Sequence, residues 1–230
     1  MLVAAAGDAI VPGMIVPPSS LFQFQLPVRC LEKTPSATAF RLSGEMSVFV
    51  PSALQSGSAP FELRIGWHED GLAISVRVTG KRISPAGTSR DWKSSDHLRL
   101  SVDTRHTVNV RRATEYCSAV LVLPVDDDNG GEPLLTFTDI GQQRTQKHDR
   151  ISRRCFAKTE LQKDGYWVDL WIPAGQLPGF ADIAGIGVIG FYVVVNDTEL
   201  GELPLSVGDD FPIAHDPATW LQLQLVGAGG

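Results

Sequence analysis

The chain has 230 residues, of which 43% are hydrophobic and 20% are charged, and its formal net charge is -6. This composition is ordinary for a globular protein and argues against intrinsic disorder, and the length suits one all-β domain of about 200–250 residues. Basic residues cluster only at Arg111–Arg112 and between Arg150 and Arg154. Duplex nucleic acid, whose binding requires many neutralised phosphates, is therefore not an expected partner.

The first 20 residues contain Pro12, Pro17 and Pro18 and predict an extended N-terminal arm, so a single domain is expected over residues 21–230. The first 16 residues carry Asp8 and no Lys or Arg, and they lack the charged start of a secretory signal. No stretch approaches the roughly 20 apolar residues of a membrane span. No membrane partner is expected, and the compartment stays open, with the cytoplasm as the default.

Alternation of apolar and polar residues predicts the first strands. Two extended runs, 21–31 and 40–50, come first. Residues 61–67 and 72–78 then alternate on either side of a tight turn, which indicates a β-hairpin. Trp67 falls on the apolar stripe of this hairpin, so we interpret it as core rather than as a ligand platform.

A tryptophan loop, residues 89–96, runs directly into the next predicted strand, residues 97–103. Because side chains alternate along a strand, three apolar residues point one way and four polar residues the other. The loop and strand therefore present an exposed aromatic ring and polar groups at one edge of a sheet, as a platform for a polar, ring-shaped ligand would require. The candidate ligand-binding residues are Trp92, Asp96, Arg99, Asp103, Arg105 and Asn109.

Five further strands are predicted in the second half of the chain, at 119–125, 154–161, 166–173, 186–195 and 220–226. Residues 174–177 predict one short helical turn. With at least eight strands and this single turn, the sequence predicts an all-β fold, a two-sheet antiparallel β-sandwich of the jelly-roll type.

Two other features leave alternatives open. Trp167 and Trp171 flank Asp169, an arrangement suited to a sugar platform, but they could equally be covered by a loop or by the N-terminal arm. The acidic loop 126–131 resembles a calcium loop in composition. It lacks the alternating spacing and distal glutamate of an EF-hand, so a solvated loop is the better interpretation.

The order of elements between about Phe61 and Val226 resembles carbohydrate-binding module family 9. The turn 67–72 is similar to the family's W-D-x-x-x-L-Y turn, and residues 92–103 to its W-x-x-D-S-V-E-I-F-I-D stretch with one residue inserted. Residues 165–173 are similar to its G-Y-x-V-E-A-A-I strand. Residues 189–197, followed by Asp216 and Pro217, are similar to its I-G-F-x-x-x-V-N-D and closing D-P segments.

This resemblance implies a β-sandwich and a sugar site. In modules that hold a sugar between two tryptophans, the first tryptophan falls at Trp92, while the second falls at Ala214. The family's ligand-binding glutamate falls at Arg99, which replaces an acceptor by a cation and favours an acidic saccharide. The resemblance also implies structural calcium in some members, for which Asp103, Asp197 or Asp210 could serve only if the fold brings them together.

Catalysis is not expected. The sequence has no G-x-S-x-G nucleophile elbow, its five histidines are far apart, and its three cysteines, Cys30, Cys117 and Cys155, show no C-x-x-C spacing. The cysteines are interpreted as buried free thiols. Two function classes remain: a non-catalytic module that binds an oligo- or polysaccharide, and a β-sandwich for protein interaction or assembly. A glycan site requires an exposed stacking aromatic with polar neighbours, whereas a protein site requires a broader patch.

Overall fold

A computed structural model describes residues 17, 20–36, 40–106, 110–143 and 155–227. The predicted N-terminal arm, except Pro17 and Ser20, lies outside the described residues, and so does Asn109. The strands of the described part are β1 (Gln25–Cys30), β2 (Ser47–Val48), β3 (Glu62–His68), β4 (Gly71–Thr79), β5 (His97–Asp103), β6 (Cys117–Leu123), β7 (Leu134–Thr138), β8 (Phe156–Gln162), β9 (Gly165–Pro173), β10 (Val188–Asp197), β11 (Gly201–Pro204) and β12 (Leu221–Val226).

Helical structure in the same residues is limited to short segments of three to six residues. There are two short α-helices, α1 (Ala53–Ser56) and α2 (Ile183–Ile186). The 3-10 turns are Gly44–Met46, Ser89–Ser94, Asp127–Asn129, Ala174–Gln176, Phe180–Asp182 and Pro217–Thr219. The turn predicted at 174–177 is thus present. None of the helices in the described ranges is long and apolar enough to cross a membrane.

The strands follow one hydrogen-bonded order, β7-β6-β5-β10-β12-β1-β3-β4-β9-β8, with β11 beside β10 and β2 beside β3. Strands β5, β6, β7, β10 and β12 form an antiparallel front half, and β3, β4, β8 and β9 form an antiparallel back half. The predicted all-β sandwich is confirmed. The sequence did not predict how the two halves are connected: β1 lies between them, parallel to β12 and, through Arg29 and Cys30, parallel to β3.

The core lies between the two halves, because each half turns its apolar residues inward. The following apolar residues of the predicted strands have no exposed surface: Leu72, Ile74, Val76, Leu98, Leu100, Val102, Val168, Leu170, Ile172, Phe191 and Val193. Trp67 is also buried, and its indole N–H donates to the Val226 carbonyl at 3.1 Å. The interpretation of Trp67 as core is therefore confirmed.

Side chains of the front half that point away from this core form a second surface, which we call the front face. On it, His97 of β5 lies opposite Asn196 of β10, and Asn196 lies opposite Glu202 of β11. Arg99 follows His97 two residues along β5 and therefore points the same way. The front face is thus assembled from three neighbouring strands, and we define it by His97, Arg99, Asn196 and Glu202.

Candidate functional site

Trp92 stands on the 3-10 turn Ser89–Ser94, immediately before β5. Its half-buried indole meets the His97 ring at a centroid distance of 5.1 Å and an interplanar angle of 87°, an edge-to-face contact. The Lys93 ammonium lies 5.7 Å from the indole centroid. Burial lowers the pKa of His97, and the nearby Arg99 lowers it further, so a neutral imidazole supports Trp92 at neutral pH.

The acidic loop after β6 holds this turn in place. Asp126 is buried and accepts a hydrogen bond from the Ser89 amide at 2.9 Å. Asp128 accepts from the Thr88 hydroxyl and from the Arg90 amide, and these hydrogen bonds lower the pKa of Asp128. Residues 127–131 are exposed, as the interpretation of a solvated loop predicts, and the carboxylates of Asp126 and Asp128 also hold the tryptophan turn.

A buried cluster of charges underlies the same turn. The Lys81 ammonium lies 2.6 Å from Asp197 and 3.4 Å from Asp96, and all three side chains are at most 2% exposed. The carboxylate oxygens also accept hydrogen bonds from other groups. Asp96 accepts from the Ala86 amide and from Thr198, and Asp197 accepts from two amides of the β10–β11 turn. Asp96, predicted to contact ligand, instead joins the tryptophan turn to the end of β10.

Arg99 and Asn196 place two unpartnered donors on the front face. The buried Arg99 Nε and Asn196 Nδ2 atoms have no hydrogen-bond partner among the described residues. Arg99 Nη2 lies 3.6 Å from Asp209 Oδ1, and a third of the arginine side chain is exposed. Buried polar atoms without partners are uncommon because each costs about 1–3 kcal/mol. Four further atoms of this kind lie elsewhere in the described residues, on Arg41, Arg77, Thr159 and Tyr166, so they are not confined to the front face.

Glu202 and Asp209 complete the polar neighbourhood. Glu202 Oε1 accepts a hydrogen bond from the Asp209 amide at 3.1 Å. Partial burial, followed by the Asp209 carboxyl group beside it, raises the pKa of Glu202 to about 7, although Arg99 acts in the opposite direction. Two carboxyl groups and one guanidinium therefore converge next to Asn196.

Two solved structures are similar to this fold. A family 9 carbohydrate-binding module from Caldicellulosiruptor kristjanssonii in complex with cellotriose matches at a TM-score of 0.57 and 14% identity, covering 90% of this chain and 95% of that one. The chain has the fold of family 9 carbohydrate-binding modules. A second structure, the family 9 module from the same organism in complex with glucose, matches at a TM-score of 0.56 and 14% identity, covering 88% and 97% of the two chains. A scan against protein-family models and a search of curated proteins both return no match.

The carbohydrate-binding-module fold separates the residues that the sequence suggested as one group. Trp92 and Arg99 lie near the start of β5, whereas Asp103 ends the strand and Arg105 follows it. At about 3.3 Å per residue, Asp103 is about 13 Å from Arg99 and about 20 Å from His97, on which Trp92 packs. Asp103 accepts a hydrogen bond from the Arg105 amide at 3.0 Å, and Arg105 pairs with Asp182 at 2.7 Å. Their bonding groups are engaged within the protein, away from Trp92.

Sequence reasoning missed Asn196, Glu202 and Asp209. Asn196 stands in the V-N-D segment that marked the fold, but nothing in its own stretch indicates that it faces Arg99's strand. Glu202 lies on β11, a four-residue edge strand ending in proline that alternation did not reveal. The pairing of β5, β10 and β11 brings Asn196 and Glu202 beside Arg99, and contacts with Glu202 and Arg99 place Asp209 next to them.

The tryptophan pair of β9 is covered by the protein itself. Trp167 is 4% exposed, with the guanidinium carbons of Arg41 and Arg64 lying 4.4 and 4.5 Å from its ring centroid. Trp171 is 6% exposed and packs against Leu42. Of the two alternatives, the structure supports cover by a loop, and residues 40–46 supply it.

The candidate metal ligands and the cysteines can be located in the described residues. Within them no three His, Cys, Asp or Glu side chains gather as metal ligands would. Asp103 and Asp197, suggested as calcium ligands, lie at opposite ends of the β5–β10 pair. The expectation of buried cysteines holds for Cys117, whereas Cys30 and Cys155 are half-buried. Burial raises the pKa of Cys117 to about 12, so this thiol is not a nucleophile at neutral pH.

Proposed function

We propose that the chain is a non-catalytic saccharide-binding module and that its ligand lies on the front face beside Trp92. The observation that carries the proposal is the juxtaposition of a supported, half-buried indole with two buried, unpartnered donors on Arg99 and Asn196. A sugar ring offers an apolar C–H face to an aromatic ring and a rim of hydroxyls to such donors. A bound sugar would contact the exposed third of the Arg99 side chain, because the Nε and Nδ2 atoms themselves are buried.

The likeness to modules solved with cellotriose and glucose supports neutral gluco-oligosaccharides as the first ligands to test. Ala214 is exposed and offers no second aromatic ring, so the ligand would be stacked on one side only. We therefore expect weak binding with fast exchange. Asp96 takes a positioning role in this proposal, because its carboxylate holds the tryptophan turn from below.

Acidic saccharides are disfavoured on this face. The sequence suggested them because Arg99 replaces an acceptor, but the Arg99 guanidinium is already 3.6 Å from Asp209 and has Glu202 nearby. A carboxylated sugar would meet two carboxyl groups together with one cation. Like-charge contacts of this kind oppose binding.

Calorimetric titration of cellotriose into the wild type and into Trp92→Ala tests the proposal. We expect the wild type to bind and Trp92→Ala to lose about tenfold in affinity, the value of one aromatic contact of about 1.4 kcal/mol. Phe22→Ala, which removes a 62% exposed aromatic residue preceding β1, is the matched control and should bind like the wild type. A panel of neutral oligosaccharides that gives no heat, or equal affinities in all three proteins, would contradict the proposal.

A second candidate function, protein interaction or assembly, is favoured by a separate observation. Leu21, Phe22 and Phe49 are 66%, 62% and 49% exposed, and Phe24 links the two other phenylalanines at ring distances of 6.2 and 6.1 Å. Contiguous exposed apolar side chains commonly mark interaction surfaces. Sedimentation of the wild type and of the Phe22→Ser, Phe49→Ser double variant would show concentration-dependent association lost in the variant. A monomeric wild type at all concentrations would argue against self-assembly through this surface.

A further inference from the structure

An apolar groove, which we call the β3 groove, opens where β2 stops pairing with β3. The last pair of that ladder joins Val48 to Leu63. Beyond it lies a space of about 340 Å³ whose apolar lining comes from Val48, Phe49, Val50, Phe61 and Leu63. Four of these side chains belong to the buried core, whereas Phe49 is 49% exposed. The groove therefore has a floor of core residues and a mouth that can take up a further apolar group.

The N-terminal part of the described chain runs beside this groove. The Phe24 ring lies 6.1 Å from the Phe49 ring and 6.2 Å from the Phe22 ring, and we call these three residues the phenylalanine row. Just before them, the Ser20 amide and hydroxyl both donate to the Pro17 carbonyl, at 2.9 and 2.7 Å. Such a bond between residues i and i+3 keeps their α-carbons within about 7 Å of each other. The chain at Pro17 thus starts close to the phenylalanine row.

Residues 1–16 have the composition that an apolar groove requires of its occupant. Twelve of these sixteen residues are hydrophobic, and Asp8 carries the single side-chain charge. Because a few residues join this segment to the border of the groove, its effective concentration there is on the order of millimolar. A second copy or a separate partner would have to be supplied from solution. The covalent connection therefore favours the segment over both.

We propose that residues 1–16 dock in the β3 groove of their own chain and cover the phenylalanine row. The lining of the groove also includes Glu62 and Arg77, whose charged groups lie 4.0 Å apart. An apolar centre with a polar border is the usual anatomy of a surface that binds a polypeptide. The inference is independent of saccharide binding at the front face. It competes with self-assembly, because the docked segment would cover the surface through which two copies would associate.

Photo-cross-linking in the full chain tests which polypeptide occupies the groove. p-Benzoylphenylalanine replaces Phe49 or, in a second protein, Ala59, which also lines the groove, and mass spectrometry maps the products. We expect both positions to link to residues 1–16, whereas Leu161, a 55% exposed residue of β8, should not. In a mixture of isotope-labelled and unlabelled chains, each product should join peptides of the same chain. Links between differently labelled chains, or no link to residues 1–16, would overturn the inference.

Substitutions in the segment provide a second test that leaves the groove itself unchanged. The triple variant Ile10→Ser, Val11→Ser, Ile15→Ser should reduce the yield of the Phe49 cross-link by about tenfold or more, since burial of even one aliphatic side chain is worth about that factor. It should also bind more of the dye ANS, which reports exposed apolar surface. Asp8→Asn, in the same segment, should retain the wild-type yield and dye signal. Wild-type values in the triple variant would contradict docking through apolar side chains.

Discussion

Lys81→Met tests whether the buried charge cluster holds the site together. The substitution retains most of the aliphatic length of the lysine stem and removes only its ammonium group. Asp96 and Asp197, at most 1% exposed, would then lose the cation that lies 3.4 and 2.6 Å from them. Because the variant leaves two neighbouring carboxylates buried, the folded state would be penalised far more than the unfolded state.

The expected size of the effect follows from this geometry. Removing one partner of a buried ion pair costs about 3–5 kcal/mol, and here one lysine serves two carboxylates. A protein of this class is stable by about 5–15 kcal/mol in total, so Lys81→Met should lose at least about a fifth of the folding free energy. The carboxylates retain their amide and hydroxyl donors, which keeps the expected loss within that range.

Guanidinium unfolding followed by tryptophan fluorescence measures this loss. Lys158→Met, on the exposed side of β8, removes the same charge from the surface and should change stability by no more than about 0.5 kcal/mol. Adding Asp197→Asn to Lys81→Met should recover part of the stability, and the double-mutant cycle gives the interaction free energy between Lys81 and Asp197. A loss below about 1 kcal/mol in Lys81→Met, or no coupling to Asp197, would refute the role assigned to Lys81.

Three further predictions concern stability. Leu100→Ala removes a fully buried side chain between β6 and β10 and should cost about 2–5 kcal/mol in chemical unfolding; a loss below about 1 kcal/mol would contradict its place in the core. Gly165→Ala should destabilise by more than about 1 kcal/mol, because φ is +155° and a β-carbon would overlap the Val78 carbonyl, while Gly44→Ala, in open space, should be near neutral. Glu202→Gln should stabilise the protein by about 1 kcal/mol at pH 8 and have little effect at pH 4. The pKa of Glu202 is about 7 in the folded state and near 4.5 in the unfolded state, so the native state binds a proton more tightly and the stability that this proton provides is lost as pH rises from about 4.5 to 7. The expected 1 kcal/mol is smaller than the full pKa shift implies because Glu202 is partly exposed to solvent. Thermal unfolding of both proteins across this pH range measures the effect, and a Glu202→Gln variant less stable than the wild type at pH 8 would contradict it.

The sequence by itself determined the fold class and most of its core. In β4, β5 and β9 the core residues alternate with outward residues, so the pattern Leu98, Leu100, Val102 reads directly as one inward face. Strand β10 is buried on both faces and was recognisable as an uninterrupted apolar run. Short strands such as β7 and β11 carry too few residues for alternation to be visible, and they were missed.

The composition of the site was decided by tertiary structure. Trp92 and Arg99 are near each other in sequence and could be proposed together, but their neighbours Asn196, Glu202 and Asp209 come from distant segments. Asp103 alternates with Arg99 on the same face of β5 but lies four residues farther along the strand, and Asp96, which immediately precedes β5, is buried. Alternation specifies which residues share a face of one strand. Strand order and register specify which strands supply the rest, and these depend on long-range pairing that no single stretch encodes.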